Sequence, residues 1–217
     1  MSLGTPANPP PHTDTCHDVS HRMQPSAPVN VPLVVGYAVW VTFVILWNVT
    51  ERRSSRTTAT AGPRRERLFG LVLAAGLVLI VLAPVGRVSP GLWKNPALLE
   101  WAMLFVVAAG VALCCWARVH LGRLWSASVL RKEGHRIVDT GPYRLMRHPI
   151  YTGFIVIYVG LGVLCANGLA VAAVALLTLG LWLKARVEEH FLLEQLGAEA
   201  YSDYKARTPM LVPGVPH

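Results

Sequence analysis

Five long apolar runs dominate this chain, and polar segments of very different character separate them. Val31–Val49 is an uncharged run of 19 residues, close to the ~20 a helix needs to cross a bilayer. Leu68–Val85 is a second uncharged run, and Ala97–Val119 is a third with Glu100 and Arg118 near its two ends. Ile150–Ala166 and Leu169–Leu183 follow as a close pair, separated only by Asn167-Gly168. A chain crossing hydrocarbon must satisfy its backbone N–H and C=O groups internally, so these runs predict helices. The two-residue connection predicts that the last two form an antiparallel hairpin. The expected fold class is therefore all-α, a polytopic membrane protein with about five transmembrane helices.

Composition agrees with the pattern. The 217 residues are 53% hydrophobic and only 15% charged, with a mean hydropathy of +0.43, which excludes an ordinary soluble domain. The formal charge of +8 raises nucleic-acid binding as a function, but its distribution argues for topology instead. One Lys or Arg lies in residues 1–30, six lie between the first two runs and two between the second and third. Seven lie from Arg118 to Arg147, none in the Asn167-Gly168 turn and four after Leu183. This alternation follows the positive-inside rule for five spans with the N-terminus outside and the C-terminus in the cytoplasm. It puts both long polar segments, 118–149 and 184–217, on the cytoplasmic side.

Residues 1–30 are rich in proline and carry His12, His17 and His21 around Cys16, Asp14 and Asp18. His17 and His21 have helical spacing, but the prolines and the lack of apolar periodicity predict a disordered tail and no metal site. The first apolar run is too long for a signal peptide, and its arginines follow rather than precede it. The four cysteines show no spacing that suggests a disulfide framework or a zinc site. Residues 31–217 then form one integral-membrane domain, with its chemistry concentrated in 117–214.

Chemistry concentrates at Gly141–Gly153, GPYRLMRHPIYTG. Pro149 suits the first turn of a helix, where a missing N–H costs nothing. The N–H groups and dipole at that mouth favour an anion such as a carboxylate, and His148 can donate or accept a hydrogen bond there. Gly153 permits close approach of a ligand or another backbone. A basic-aromatic membrane belt explains Arg144, Arg147, Tyr143 and Tyr151, but not His148-Pro149 and Gly153. Just beyond the fifth run, Lys184 can pair with Glu188 and Arg186 with Glu189 along one helix. The hairpin turns the His148 mouth and these carboxylates toward the same pocket. An anion-favouring helix end beside carboxylates suits a zwitterion, and S-adenosylmethionine is one. From Val187 a helical continuation carries Leu192, Leu193 and Leu196 until Gly197 breaks it, and Tyr201 and Tyr204 share one face beyond the break.

GHRIVDTGPYRLMRHPIYTG at 134–153, followed by RVEEHFLLEQLGAEAYSDYKARTPMLVPG at 186–214, resembles the isoprenylcysteine carboxyl methyltransferase family. The resemblance covers roughly Ala117–Gly214. It implies an integral-membrane enzyme with a cytoplasmic S-adenosylmethionine pocket and a lipophilic small-molecule or lipid acceptor, related to phospholipid N-methyltransferases. It also implies roles by matching position. His148, Pro149 and Tyr151 would line the cofactor pocket with His135, Val138 and Tyr143. Glu189 would bind the cofactor, Arg186 would orient the methyl acceptor, and Tyr201 and Tyr204 would help close the pocket. The family often has a basic residue after the Thr-Pro pair, where this chain has Met210. Membrane sterol reductases, which use NADPH, share an Arg-His-x-x-Tyr-x-Gly stretch but typically follow it with an acidic residue, where this chain has Phe154. A non-enzymatic membrane scaffold would have to use both motifs as packing alone.

Overall fold

The computed structural model describes residues 30–51, 57–60, 63–85, 91–122, 130–132, 139–196 and 198–214. The N-terminal His/Cys-containing tail, His135 and Val138 lie outside them. Each apolar run becomes a helix: α1 (Val31–Glu51), α2 (Pro63–Leu82), α3 (Ala97–Leu121), α4 (Pro149–Cys165) and α5 (Gly168–Leu196). A sixth helix, α6 (Ala198–Arg207), follows. Helices α1, α3 and α5 contain segments long and apolar enough to cross a membrane, and α4 is a shorter apolar helix. Helix α2 spends its first turn on Arg64, Arg65, Glu66 and Arg67 before its apolar run begins. One addition to the all-helical expectation is a two-stranded antiparallel ribbon, β1 (Thr57–Thr60) with β2 (Leu130–Lys132). It joins the α1–α2 connection to the segment after α3.

The hairpin forms as the sequence predicts. Ala166 takes a left-handed conformation, φ 52°, and ends α4. Asn167 then begins α5: its Oδ1 accepts from the Ala170 N–H at 2.9 Å and its Nδ2 donates to the Ala83 carbonyl at 2.6 Å. One buried amide thus caps a helix and ties the hairpin to the end of α2. Leu92 N–H adds a bond to the Ala166 carbonyl at 2.7 Å. Asn167→Leu removes the cap and strands a buried carbonyl, so it is expected to cost about 1–3 kcal/mol. Thermal unfolding in detergent measures this, and an unchanged midpoint would deny the residue its bracing role.

Each arm of the hairpin packs more extensively on an earlier helix than on the other arm: α4 on α3, and α5 on α2. Small residues set the first contact. A Cβ on Gly110 would come within 2.8 Å of the Gly153 carbonyl oxygen, and one on Gly153 within 2.9 Å of the Gly110 carbonyl oxygen. Lipid tails are as apolar as leucine, so helices in a bilayer associate through this kind of close backbone contact rather than through apolar burial. The freedom of approach at Gly153 is used by a neighbouring helix. Helix α1 closes the core with aromatic rings: Phe43 and Trp47 pack on Phe154 with ring centroids 5.6 and 5.7 Å away, and Trp40 meets Tyr158 at 6.3 Å. The Arg118 guanidinium lies 4.5 Å over the Trp47 ring and bonds the Trp47 carbonyl at 3.3 Å, anchoring the end of α1 to that of α3.

Candidate active site

The site assembles where α4 begins, because three separate segments converge on Arg147 and His148. Residues Gly141–Arg144 form a 3₁₀ turn. It starts at Gly141, φ 57°, where an added Cβ would strike the His120 ring at the end of α3. Tyr143 is buried in that turn and its carbonyl accepts from the Tyr204 hydroxyl of α6 at 2.7 Å. Burial, and then the charge of Glu188, push the Tyr143 phenol well above its ordinary pKa. Burial does the same to Tyr204, partly opposed by Arg147, so Tyr204 stays a donor.

Pro149 occupies the first helical position of α4, as its chemistry favours. The two residues before it are bound into the C-terminal segment: Arg147 N–H donates to the Pro209 carbonyl at 2.9 Å and His148 N–H to the Met210 carbonyl at 3.0 Å. Thr152 Oγ1 donates to the Leu211 carbonyl at 2.6 Å. Residues 208–211 therefore form a strap along the start of α4. Met210 takes part through its backbone, which any side chain would supply.

Glu189 is the electrostatic centre. It is 3% exposed, and Arg147 is 6% exposed. Arg147 Nε donates to Glu189 Oε1 at 2.6 Å, and His148 Nε2 lies 3.3 Å from the same oxygen. Lys205 Nζ is 3.5 Å from Oε2. A second nitrogen of Arg147, Nη1, donates to the Lys205 carbonyl at 3.0 Å and also bonds the Thr208 carbonyl. A buried charge needs such company, since an isolated one loses its hydration without return. Arg147 therefore couples α4, α5 and the strap, a structural task the sequence did not reveal.

Glu188, one residue earlier, has a different setting. Its side chain is 33% exposed, its Oε2 accepts from the Tyr151 hydroxyl at 2.6 Å, and that oxygen lies 3.8 Å from His148 Nδ1. His148 and Tyr151 stack with centroids 5.3 Å apart and planes 3° from parallel. Lys184 Nζ sits over the Tyr151 ring at 5.4 Å and the Phe69 ring at 5.9 Å. The His148–Tyr151 stack thus stands between two carboxylates, with Glu189 on its strap side and Glu188 on its α2–α5 side.

Of the residues singled out from sequence, Tyr143, His148, Pro149, Tyr151, Glu189 and Tyr204 are brought together. The backbone of Tyr201 lies in α6, one turn before Tyr204. Arg186 is exposed on α5 and stacks on Trp182, its guanidinium 5.1 Å from the ring. The carboxylate of Glu189 meets Arg147, His148 and Lys205, so the pairing of Arg186 with Glu189 inferred from spacing gives way to tertiary partners.

Beside this cluster opens a cavity of about 600 Å³ lined by Asp139, Thr140, Gly141, Arg144, Arg207 and Thr208. Arg207 Nη2 bonds Asp139 Oδ2 at 3.1 Å across the lining. Nothing local marks Asp139, Arg144 and Arg207 as a group, because α6 meets the 3₁₀ turn only in the folded chain. No group of three or more His, Cys, Asp or Glu side chains suited to a metal occurs among the described residues.

An integral-membrane helical protein with a buried cation–carboxylate cluster at one end of its helices is the class these features define. The family model of the isoprenylcysteine carboxyl methyltransferase (ICMT) family matches residues 101–194, and relatives named protein-S-isoprenylcysteine O-methyltransferase support the same family. The match contains most of α3, all of α4 and all but the last two residues of α5, including Glu188 and Glu189. The chain is 35% identical over 126 residues to the cobalt-zinc-cadmium resistance protein CzcN of Cupriavidus metallidurans, covering 57% of this chain and 52% of that protein. It is 29% identical over 147 residues to protein-S-isoprenylcysteine O-methyltransferase B of Arabidopsis thaliana, covering 65% and 74%. It is 41% identical over 71 residues to methanethiol S-methyltransferase 1 of Bradyrhizobium diazoefficiens, covering 33% and 24%. The chain thus spans about half the length of the first of these relatives.

Proposed function

We propose that this protein is an S-adenosylmethionine-dependent methyltransferase acting on a lipophilic acceptor at the membrane face that its charge distribution assigns to the cytoplasm. The observation that carries this reading is the cavity beside the His148–Glu189 cluster, in a chain that the model of a methyltransferase family matches. Its volume falls within the ~300–1,000 Å³ of small-molecule sites. Its chemistry suits a zwitterionic nucleoside: Arg144 and Arg207 offer donors for a carboxylate, and Asp139 and Thr140 offer acceptors for an ammonium or a ribose diol. The family resemblance would add Tyr143, His148, Pro149, Tyr151 and Tyr204 behind that lining.

The bound cofactor would supply an electrophilic methyl group on a cationic sulfur. The protein's own task is then alignment and exclusion of water. The strap and α6 shield the Glu189 side. Glu189 keeps Arg147 and His148 in register and adds negative potential to the pocket. Arg186, exposed on α5 and stacked on Trp182, orients the acceptor rather than the cofactor.

Calorimetry with S-adenosylhomocysteine tests the proposal. Purified protein should bind it with a Kd in the micromolar range, about −8 kcal/mol. Arg186→Ala should keep that affinity and lose ~10²-fold in methyl transfer. Folded protein that binds NADPH and not S-adenosylhomocysteine would instead support the reductase chemistry, and binding of neither would leave the scaffold.

A further inference from the structure

The two adjacent carboxylates of α5 hold different chemical positions, and only one is placed to move a proton. One oxygen of Glu189 faces the Arg147 guanidinium and the His148 ring, and the other faces the Lys205 ammonium. Protonating it would break the contacts that hold α4, α5 and the strap together. Glu188 instead accepts a single short hydrogen bond from a neutral phenol, Tyr151, and a third of its side chain is exposed. The groups around it are His148 and Tyr151 of α4, Lys184 and Glu189 of α5, and Tyr143 of the 3₁₀ turn.

We propose that Tyr151 and Glu188 form the general-base dyad of this site, and that the dyad suits it to a protic acceptor, a thiol. This rests on the methyltransferase reading above. A carboxylate acceptor is already ionised at neutral pH and has no proton to lose. A cysteine-type thiol has a pKa near ~8.5 and reacts as the thiolate. The dyad lies at the edge of the His148–Tyr151 stack, just beyond the apolar run ending at Leu183, where a lipophilic molecule arriving from the bilayer meets the polar cluster. The Tyr151 oxygen takes the proton of the S–H group while its own hydrogen-bonded proton passes to Glu188 Oε2. The thiolate sulfur forms its bond to the methyl carbon of the S-methyl sulfonium donor, and the methyl–sulfonium bond breaks with its electron pair staying on the donor sulfur. The products are a methyl thioether, a neutral donor thioether and one proton on Glu188, which its exposed side returns to water. A positioned base of this kind contributes ~10²–10⁴-fold.

The experiment uses the full-length protein in detergent, isotopically methyl-labelled S-adenosylmethionine and a lipophilic N-acylated cysteine amide as the thiol, from pH 6 to pH 10. Wild type should methylate the thiol at neutral pH. Glu188→Gln keeps a partner for the Tyr151 hydroxyl and should lower kcat about 10²-fold at pH 7 with little change in KM. Its rate should recover as pH rises through the thiol's own pKa, because solvent then supplies the thiolate. Tyr151→Phe should show the same alkaline shift. S-adenosylhomocysteine binding, measured by calorimetry on each variant, reports the cofactor pocket separately. Equal losses at every pH indicate a structural role and overturn the proposal, as do wild-type rates in both variants. Cofactor binding without thiol methylation by wild type overturns the proposal and leaves the methyltransferase reading standing. Failure of wild type to bind the cofactor removes that reading itself.

Discussion

Glu189→Gln is expected to destabilise the folded protein by about 3–5 kcal/mol, because it leaves the Arg147 guanidinium buried opposite a neutral group. The carboxylate oxygen that takes the 2.6 Å bond from Arg147 Nε also lies 3.3 Å from His148 Nε2, and Lys205 approaches the other oxygen. One substitution therefore weakens contacts among α4, α5 and the strap together. Removing both charges, as Arg147→Met with Glu189→Leu, should cost less than the single change, because a buried pair replaced by apolar groups leaves no orphaned ion. The recovery should be incomplete, since Arg147 also serves the Lys205 and Thr208 carbonyls. Thermal unfolding in detergent of Arg147→Met, Glu189→Leu and the double variant gives the coupling energy. Additive losses in the double would show that Arg147 and Glu189 act independently, against the geometry. Cofactor binding by Glu189→Gln should also fall, and by more than in Arg186→Ala, whose side chain lies outside the buried cluster.

The second large effect is expected at the α3–α4 crossing. Gly153→Val places a branched side chain where a Cβ alone would lie 2.5 Å from Cys114 Sγ and 2.9 Å from the Gly110 carbonyl oxygen. The thiol can turn aside, but the carbonyl is part of a helix backbone, so the helices must separate. Overpacking of this kind costs about 1–3 kcal/mol, and a backbone obstacle puts the change at the upper end. Gly153 is barely more than one turn beyond His148, so the displacement also moves the His148–Tyr151 stack. Gly110→Val should act alike from the opposite side. Gly70→Ala is the contrast: nothing lies within 4 Å of its added Cβ, and helix propensity then makes it neutral or stabilising by ~0.5–1 kcal/mol. Unfolding midpoints and the fraction of monodisperse protein separate the cases. Equal behaviour of the Gly153 and Gly70 variants would contradict the close crossing.

The Glu189 cluster shows where local pattern stops being informative. Spacing along one helix offers Arg186 as the neighbour of Glu189, and it is a correct statement about position. Helical pairs at the surface are worth only a few tenths of a kcal/mol, so a tertiary partner displaces them easily. Arg147, 42 residues away, supplies a buried bond, and Arg186 lies on Trp182 instead. Arg147 carried no sign of this in sequence, because a basic residue before a span is also what a membrane belt requires.

The sequence by itself determined the elements and their ends. Apolar runs near bilayer length became α1 to α5, Pro149 opened α4, and Asn167-Gly168 made the hairpin. These are decisions of single segments, set by backbone hydrogen bonding, proline and glycine geometry and the length of an apolar run. Only the tertiary structure decided that α4 lies on α3 through Gly110 and Gly153, that residues 208–211 strap the start of α4, and that Glu188 and Glu189 face different partners. In a membrane span the lipid-facing and helix-facing positions are both apolar, so the sequence carries no amphipathic stripe to name the neighbour. Partner choice falls to close backbone contact and to buried charges meeting across the fold, and neither has a local signature.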